Sequence, residues 1–565
     1  MDYMKKYDMW MEDEFFDEET KAELKAIRDD KDEIEDRFYT DLSFGTAGLR
    51  GKIGAGTNRM NKYTVALATQ GLASTIVNKG QKAMDKGVAI AYDVRQYSDQ
   101  FAETAARVLA ANGIKTYLFD GIRPTPVLSY TVRELGTISG IVVTASHNPR
   151  EYNGYKAYWE EGSQILDEIA SEILYEMGQV EHFKDVKMMD LEEAKEKGLI
   201  EIIGKEIDDK YNAEILARSI RKTEELDKDI RVVYTPLNGT GNKPVRRVLD
   251  DRGFKNIFVV AEQENPDPNF TTVGYPNPED PKAFKLSVEL GKEKDADILV
   301  ATDPDADRIA MMVRDRKGEY IFLNGNQTGA LLVNYIISSL HENKELPKNP
   351  AIVKSIVTGD LGKVIAEKYG VETFNTLTGF KNICAKANEW ENTNEHNFVF
   401  GYEESIGYTY GTLVRDKDAV ISTMIIVEMA AYYKKQSKNL LEVLEEIYQE
   451  FGYYKENLIS LVFEGIEGSK RIERMMDHFR KNPIDKIGSM SLDHLIDYEN
   501  DDTGIGKSNV LQYMLDDGSW YTVRPSGTEP KIKLYIYSKD KDEEEADRKI
   551  ELIEKTVTEK LMSVE

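Results

Sequence analysis

The sequence predicts an α/β fold in which three similar units each alternate strands with helices. Short apolar runs end abruptly in polar loops at Ile141–Val143, Ile298–Ala301 and Phe398–Phe400, as buried strands do. Helical periodicity separates such runs, for example around Phe101, Ala105 and Val108. This alternation favours βαβ crossovers and parallel or mixed sheets. Open sheets of this kind place their chemistry at strand ends, so the polar loops are the first candidate sites.

Composition narrows the class of protein. The chain has 565 residues, which is the length of three or four domains at roughly 150 residues each. It carries 74 Lys and Arg against 101 Asp and Glu, a net charge of −27, which argues against nucleic acid or an anionic membrane as a general partner. A single Cys excludes a disulfide framework and favours a reduced, cytoplasmic environment. No apolar window is long enough to predict a membrane span or a secretory signal.

Predicted helices and strands also lie outside these three strand ends. Residues 1–40 are charged, with apolar positions at helical spacing, and predict a helical N-terminal extension. The strand Val88–Tyr92 closes on Asp93-Val94-Arg95. A long amphipathic helical region, Ser422–Phe451, leads to a last unit whose strand is Ile532–Tyr537.

The loop after Ile141–Val143 presents Ser146 at a strand end, and Pro149 prevents easy continuation as strand or helix. His147 follows Ser146, but adjacent residues do not normally face each other, and no Gly-x-Ser-x-Gly elbow surrounds the serine. A hydrolase triad is therefore not predicted. A serine can instead act as nucleophile and leaving group when a metal neutralises its charge.

Three acids at alternating positions, Asp303, Asp305 and Asp307, directly follow the strand Ile298–Ala301. Clustered hard oxygen ligands of this kind suit Mg²⁺. An EF-hand begins with similar spacing but needs Gly at its sixth position and Glu at its twelfth, where this chain has Arg308 and Arg314. The remaining alternative is a solvated acidic turn.

The segment Arg524-Pro-Ser-Gly-Thr528 has the composition of an anion cradle, with a guanidinium, two hydroxyls and a glycine that frees backbone donors. Lys533 lies nearby in sequence. A capped turn is the alternative.

The triplet Gly506-Lys507-Ser508 resembles the end of a phosphate-binding P-loop, but Asp501 stands where that loop requires glycine.

Glu403, Glu404 and Ser405 follow the strand Phe398–Phe400 and offer acceptors and a donor suited to sugar hydroxyls. Glutamates in a polar loop are usually only solvated, so this segment alone is weak evidence.

Taken together, four motifs resemble those of the α-D-phosphohexomutases, the phosphoglucomutase and phosphomannomutase superfamily. In order, residues 144–149 resemble the phosphoserine loop, 303–308 the metal loop, 401–405 the sugar-binding loop and 524–528 the phosphate-binding loop. The resemblance implies three α/β domains with mixed sheets and a smaller C-terminal α+β domain of the TATA-binding-protein-like type, around a central cleft. The expected domains are residues 1–206, 207–320, 321–455 and 456–565.

The resemblance also implies roles for individual residues. Ser146 would carry the phosphoryl group and contribute to the metal site with Asp303, Asp305 and Asp307, which bind one Mg²⁺ per chain. The expected catalytic residues are Ser146, Lys156, Arg50 and Arg308. The expected substrate-binding residues are Thr378, Gly379, Lys381, Glu403, Ser405, Arg524, Ser526, Gly527, Thr528 and Lys533.

The implied activity is the interconversion of glucose 1-phosphate and glucose 6-phosphate, with glucose 1,6-bisphosphate as intermediate and activator. The expected partners are small sugar phosphates, and the expected state is a monomer or weak homo-oligomer. Many family members have a histidine in the sugar loop, whereas here Ser405 is followed by Ile406-Gly407-Tyr408. Ribose, deoxyribose and mannose phosphates are therefore alternative substrates. Together with the length and the acidic N-terminal helices, this departure resembles the longer subgroup that holds bacterial α-phosphoglucomutases and phosphopentomutase-like relatives. A Mg²⁺-dependent phosphatase and a non-catalytic binding protein are the alternatives outside this class.

Overall fold

A computed structural model describes residues 3–42, 44, 48–463, 465–500, 503–526 and 531–565. The chain forms two compact units. Unit 1 comprises Met1–Leu323, Ala387–Asn392 and Gly407–Lys435. Unit 2 comprises Asn324–Lys386, Thr393–Ile406 and Gln436–Glu565. The division into four domains stays a prediction.

The N-terminal extension is helical, as predicted. Its helices are α1 (Tyr3–Glu12), α2 (Glu18–Ala26) and α3 (Lys31–Phe38). Asp17 and Asp30 accept backbone N–H bonds at the starts of α2 and α3, where the first turn leaves donors unpaired. Trp10 is fully buried and stacks on Phe16 with ring centroids 4.2 Å apart. Trp10 also packs against Tyr63, beyond the extension, with ring centroids 5.5 Å apart, so this aromatic cluster anchors the extension to the rest of unit 1.

The first sheet of unit 1 is mixed and six-stranded, with the order β1-β5-β4-β2-β3-β6. Its strands are β1 (Gly48–Lys52), β2 (Val88–Tyr92), β3 (Thr116–Phe119), β4 (Ser139–Val143), β5 (Tyr152–Trp159) and β6 (Ile200–Ile203). The helices of this region are α4 (Lys62–Asn78), α5 (Gln81–Lys86), α6 (Ser98–Ala111), α7 (Thr125–Leu135), α8 (Asp167–Gly178), α9 (Leu191–Glu196) and α10 (Lys205–Leu216). Strand β4 pairs in parallel with β2 and antiparallel with β5.

The second sheet of unit 1 has the order β11-β10-β9-β7-β8. Its strands are β7 (Val232–Thr235), β8 (Ile257–Val259), β9 (Ile298–Thr302), β10 (Ile309–Arg314) and β11 (Tyr320–Leu323). Its helices are α11 (Asn242–Asp251), α12 (Ala261–Glu264) and α13 (Lys285–Lys294). Every residue of β9 is buried. The predicted acidic loop is the short connection from β9 to the antiparallel β10.

Unit 2 begins with a third α/β region, in which β12 pairs in parallel with both β13 and β14. Its elements are α14 (Gly325–Glu342), β12 (Pro350–Ser355), α15 (Leu361–Lys368), β13 (Glu372–Thr376), α16 (Phe380–Thr393) and β14 (Asn397–Glu403), although residues Ala387–Asn392 of α16 belong to unit 1. Next along the chain, β15 (Gly407–Tyr410) and α17 (Ala419–Lys435) belong to unit 1, and α18 (Leu440–Phe451) returns to unit 2.

The long helical region predicted at Ser422–Phe451 is two helices, and the prediction that it is amphipathic throughout is wrong. Every residue of α17 from Ala419 to Ala431 is buried, so this part has no polar face. The side chain of Asn439 accepts a bond from the backbone of Glu442 and begins a new helix, α18. Only α18 carries the amphipathic pattern, because one face of it is buried and the other is solvated.

The C-terminal region is α+β, as predicted. Its strands are all antiparallel, in the order β16-β21-β20-β19-β18-β17. The elements are β16 (Tyr453–Val462), α19 (Gly465–Lys481), β17 (Lys486–Ile487), β18 (Met490–Asp497), β19 (Leu511–Leu515), β20 (Trp520–Pro525), β21 (Lys531–Asp540) and α20 (Glu543–Met562). Helices α19 and α20 share one hydrophobic core with the sheet, including Phe479, Tyr513 and Ile553. Across the described residues, no helix is both long and apolar enough to cross a membrane.

Candidate active site

Ser146 lies in the loop after β4, with only 2% of its surface exposed. Its φ angle is +51°, a left-handed conformation that costs energy for any residue with a side chain. In this conformation the Ser146 hydroxyl donates to Asp303 Oδ2 at 2.6 Å. The loop of the first sheet and the acidic loop of the second sheet therefore meet at this hydroxyl.

His147 is closer to Ser146 than the sequence analysis expected. Its Nδ1 lies 3.2 Å from Ser146 Oγ, so the premise that these neighbours do not face each other is wrong here. The left-handed turn at Ser146 brings the two side chains to the same side. Burial, together with the charges of Arg308 and Arg50, lowers the pKa of His147 well below its usual value, which leaves the imidazole neutral at neutral pH.

The three aspartates form one buried cluster. One carboxylate oxygen from each of Asp303, Asp305 and Asp307 lies within 4.8 Å of the others. Asp303 Oδ1 accepts the backbone N–H groups of Asp307 and Arg308, which shapes the loop. Burial and the charges of the other two aspartates raise the pKa of Asp303 well above its usual value.

This cluster fits a metal ion. In the part of the chain that the structure describes, Oδ1 of Asp305 and Oδ1 of Asp307 are buried and have no hydrogen-bond partner. Buried polar atoms are normally paired, so two open carboxylate oxygens beside a third carboxylate indicate a ligand that supplies positive charge. All the ligand atoms of this cluster are carboxylate oxygens, and Mg²⁺ prefers oxygen ligands.

Two buried lysines offset part of this negative charge. Lys156 Nζ lies 2.8 Å from Asp305 Oδ2 and 3.4 Å from Asp307 Oδ2. Lys417 Nζ lies 3.2 Å from Asp307 Oδ2 and 3.0 Å from Asp416 Oδ1. Burial opposes the charge on Lys156, but the attraction of Asp305 and Asp307 outweighs it and raises the pKa of this lysine.

Two arginines that the resemblance implied also lie at this site. Arg50 is on β1 and donates to Asn148 Oδ1 at 3.2 Å, within the Ser146 loop. Arg308 Nε lies 3.9 Å from Asp307 Oδ1. The structure thus brings together Ser146, the three aspartates, Lys156, Arg50 and Arg308, all within unit 1.

The predicted sugar-binding residues lie in unit 2. Glu403 is buried at the end of β14, and its Oε1 accepts the backbone N–H of Gly379 at 2.8 Å. Asn382 donates to the Thr378 carbonyl, which closes the same turn before α16. Glu403 and the segment containing Thr378, Gly379 and Lys381 are therefore in contact, and Ser405 follows two residues later.

The predicted phosphate cradle is also in unit 2. Arg524 on β20 is the direct cross-strand partner of Lys533 on β21, so the two cations lie on the same face of the sheet. Like charges directly opposite each other destabilise a sheet unless an anion lies between them. The Ser526 N–H donates to the Lys531 carbonyl at 2.8 Å. The predicted residues Gly527 and Thr528 lie outside the described residues.

Comparisons with known proteins identify the family. Models of the phosphoglucomutase/phosphomannomutase family match in order: alpha/beta/alpha domains I, II and III at residues 41–182, 209–318 and 324–451, and the C-terminal domain at 496–554. The chain belongs to this family. A protein named phosphoglucomutase from Staphylococcus aureus (strain N315) is 38% identical over 546 residues, covering 93% of this chain and 95% of that protein.

Solved structures agree on the fold of the family. The open form of parafusin, a phosphoglucomutase from Paramecium, has a TM-score of 0.69 at 18% identity and covers 93% of this chain and 95% of that one. A phosphoglucomutase/phosphomannomutase family protein from Burkholderia thailandensis has a TM-score of 0.68 at 18% identity, covering 93% and 99%. The predicted superfamily and fold class are confirmed.

Lys417 is one site residue that the sequence analysis missed. Its side chain lies beside Gly407, in the segment where many family members have the sugar-loop histidine. A Cβ atom on Gly407 would lie 2.4 Å from Cδ of Lys417, so no side chain fits at position 407 beside this lysine. The sequence does hold a signal for this residue: the four charged residues Arg415-Asp416-Lys417-Asp418 directly precede an apolar helix. Charged side chains beside an apolar element are often buried, and buried charges are paired, so this run indicates a buried ion-pair network.

Proposed function

We propose that the protein is a phosphoglucomutase that interconverts glucose 1-phosphate and glucose 6-phosphate through a phosphorylated Ser146. The observation that carries this proposal is the Ser146 hydroxyl, which lies 2.6 Å from Asp303 in a buried cluster of three carboxylates. The phosphoglucomutase from Staphylococcus aureus, 38% identical over nearly the whole chain, supports the choice of sugar.

In this proposal Asp303, Asp305 and Asp307, together with the phosphorylated Ser146, hold one Mg²⁺. When bound, such an ion neutralises phosphate charge and lowers the energy of the transferring phosphoryl group. Oδ1 of Asp305 and Oδ1 of Asp307, which are buried and accept no hydrogen bond from the described part of the chain, would be available to bind this ion.

The reaction has two transfers. First, the 6-hydroxyl of glucose 1-phosphate attacks the phosphorus of phospho-Ser146 and loses its proton to a base. The bond from Ser146 Oγ to phosphorus breaks, and Oγ takes up a proton to become the hydroxyl. This gives glucose 1,6-bisphosphate, which turns around. The Ser146 hydroxyl then attacks the 1-phosphoryl group and loses its proton, the bond from O1 to phosphorus breaks, and O1 takes up a proton to release glucose 6-phosphate. We assign to Lys156 the donation of a proton to the leaving oxygen, because, although burial opposes its charge, Asp305 and Asp307 raise its pKa and favour the ammonium form. Once it has donated, the amine accepts the proton that the attacking hydroxyl loses.

Charge is the main obstacle to these transfers. Two phosphate dianions about 6 Å apart repel each other by roughly 10 kcal/mol at an effective dielectric constant near 20. Lys156, Lys417 and Arg308 place three cationic side chains at the aspartate cluster. Phosphoryl transfer requires chiefly positioning and such charge compensation. Thr378, Gly379, Lys381, Glu403 and Ser405 would bind the sugar, and Arg524, Ser526, Gly527, Thr528 and Lys533 the phosphate that is not transferred.

A substrate panel tests the proposal. We expect kcat/KM to be highest for glucose 1-phosphate, lower for mannose 1-phosphate and ribose 1-phosphate, with glucose 1,6-bisphosphate as activator and no net release of phosphate. Phosphopentomutase activity is the second candidate, because Gly407 and Lys417 replace the histidine arrangement of the sugar loop. A preference for ribose 1-phosphate would establish that alternative, and stoichiometric phosphate release would contradict the mutase proposal.

A further inference from the structure

A buried ion pair lies directly behind the Ser146 loop and has no part in the proposed chemistry. Asp93 and Arg95 follow β2, with 1% and 3% of their surfaces exposed. Arg95 Nε lies 3.4 Å from Asp93 Oδ2. The sequence analysis noted this Asp-Val-Arg segment only as the end of a strand.

The Arg95 guanidinium binds the inner side of the Ser146 loop through four backbone carbonyls. Its Nη1 donates to the carbonyls of Pro149 at 2.9 Å and Tyr152 at 3.0 Å. Its Nη2 donates to the carbonyls of Ser146 and Asn148, the latter at 2.6 Å. One rigid fork of donors therefore spans residues 146–152, a span that the point charge of a lysine does not cover.

Asp93 reaches the other side of Ser146 through a threonine. Asp93 Oδ2 accepts the Thr144 hydroxyl at 2.6 Å, and Thr144 Oγ1 accepts the backbone N–H of Ser146 at 2.8 Å. Asp93 Oδ1 accepts the Arg95 N–H at 2.9 Å and the Ser98 hydroxyl at 2.8 Å. The peptide groups on both sides of Ser146 are thus bound to one ion pair.

These bonds act where the loop backbone is strained. Ser146 is in the left-handed conformation, which persists only when its surroundings hold it. The fully buried ring of Phe270 packs against the guanidinium, with 5.1 Å from Arg95 Cζ to the ring centroid.

We propose that Arg95, with Asp93 and Thr144, is a positioning residue for the phosphoryl transfer at Ser146. It fixes the backbone of Ser146 so that Oγ is directed at the aspartate cluster, and it does not touch the sugar phosphate. This inference rests on the proposed function, because positioning is measured through turnover. Its consequence is specific: kcat depends on Arg95, and substrate affinity does not.

The decisive variant is Arg95→Lys, which keeps the positive charge and removes the two guanidinium nitrogens that donate to the four carbonyls. We expect kcat with glucose 1-phosphate to fall about 100-fold, as a misplacement near 1 Å produces, with KM unchanged. Arg59→Lys is the matched control. Arg59 is as buried as Arg95 and is in the same unit, but it bonds to Asp36, Glu33 and a neighbouring carbonyl. We expect this control to lower the melting temperature and to leave kcat unchanged.

A second pair of variants covers the case in which Arg95→Lys does not fold. Thr144→Val keeps the shape of Thr144 and removes the hydroxyl between Asp93 and Ser146, whereas Thr144→Ser keeps the hydroxyl. We expect Thr144→Val to lose kcat at constant KM and Thr144→Ser to retain it. Wild-type kcat in Arg95→Lys or in Thr144→Val, or a rise in KM that accounts for the whole loss, would overturn the inference. Failure of the wild-type enzyme to turn over any sugar phosphate would instead refute the proposed function.

Discussion

Ser146→Ala is expected to reduce turnover of glucose 1-phosphate by at least about 10⁴-fold, since losses of this size follow removal of a catalytic nucleophile. In this account the resting enzyme carries the phosphoryl group on Ser146 Oγ, so the variant lacks the oxygen that accepts and donates this group. The fold should survive, since the change removes one oxygen atom and its contacts with Asp303 and His147. Initial rates over a range of glucose 1-phosphate concentrations measure the effect.

The matched control for this change is Ser74→Ala on α4, where a half-buried serine accepts a bond from Gln70 at 3.2 Å. It should retain wild-type turnover. Glucose 1,6-bisphosphate should not rescue Ser146→Ala, because the variant has no acceptor for the phosphoryl group. Residual activity above a few per cent would mean that another side chain carries the phosphoryl group.

Asp303→Asn is the second change with a large expected effect. It removes one of three buried carboxylates and alters the acceptor of the Ser146 hydroxyl at the same time. We expect a loss of at least about 10³-fold in kcat, in the range seen when one group that stabilises transition-state charge is removed. A chelator should inactivate the wild-type enzyme to a similar extent, and added Mg²⁺ should restore it.

Thermal unfolding gives a readout of the same site that does not depend on turnover. Mg²⁺ at 100 times its Kd should stabilise the wild-type protein by about 2.7 kcal/mol, and Asp303→Asn should lose most of this gain. Asp250→Asn is the control, because Asp250 is an exposed acid on α11 whose side chain pairs with Lys255. Equal stabilisation of Asp303→Asn and wild type by Mg²⁺ would contradict the assignment of the metal site.

The strand ends were predictable from the sequence because two signals coincide there. A continuous apolar run followed at once by polar residues marks a buried strand and its exit, as at Ile141–Val143 and Ile298–Ala301. The structure ends β4 at Val143 and β9 at Thr302, within one residue of these limits. The contact between Ser146 and Asp303 then follows from the topology of the two sheets, which the family resemblance supplied.

The residues that sequence reasoning missed act through contacts far apart in the chain. Lys417 reaches Asp307 across 110 positions of sequence, and no local pattern indicates which buried acid a lysine will pair with. Arg95 binds backbone carbonyl oxygens. Because every residue has a carbonyl, the residue types of the Ser146 loop do not indicate that an arginine binds there. The amphipathic pattern predicted for Ser422–Phe451 fails in α17, because burial on all sides leaves this helix no polar face.

The central claim is that Ser146 carries the phosphoryl group, and peptide mapping tests it most directly. The purified protein is incubated with glucose 1,6-bisphosphate and Mg²⁺, its intact mass is measured, and the modified peptide is sequenced by mass spectrometry. The account predicts one phosphoryl group per chain, on Ser146, which is removed when glucose 1-phosphate or glucose 6-phosphate is added in excess. An unmodified Ser146 under these conditions, or a phosphoryl group on another residue that the substrate removes, would contradict it.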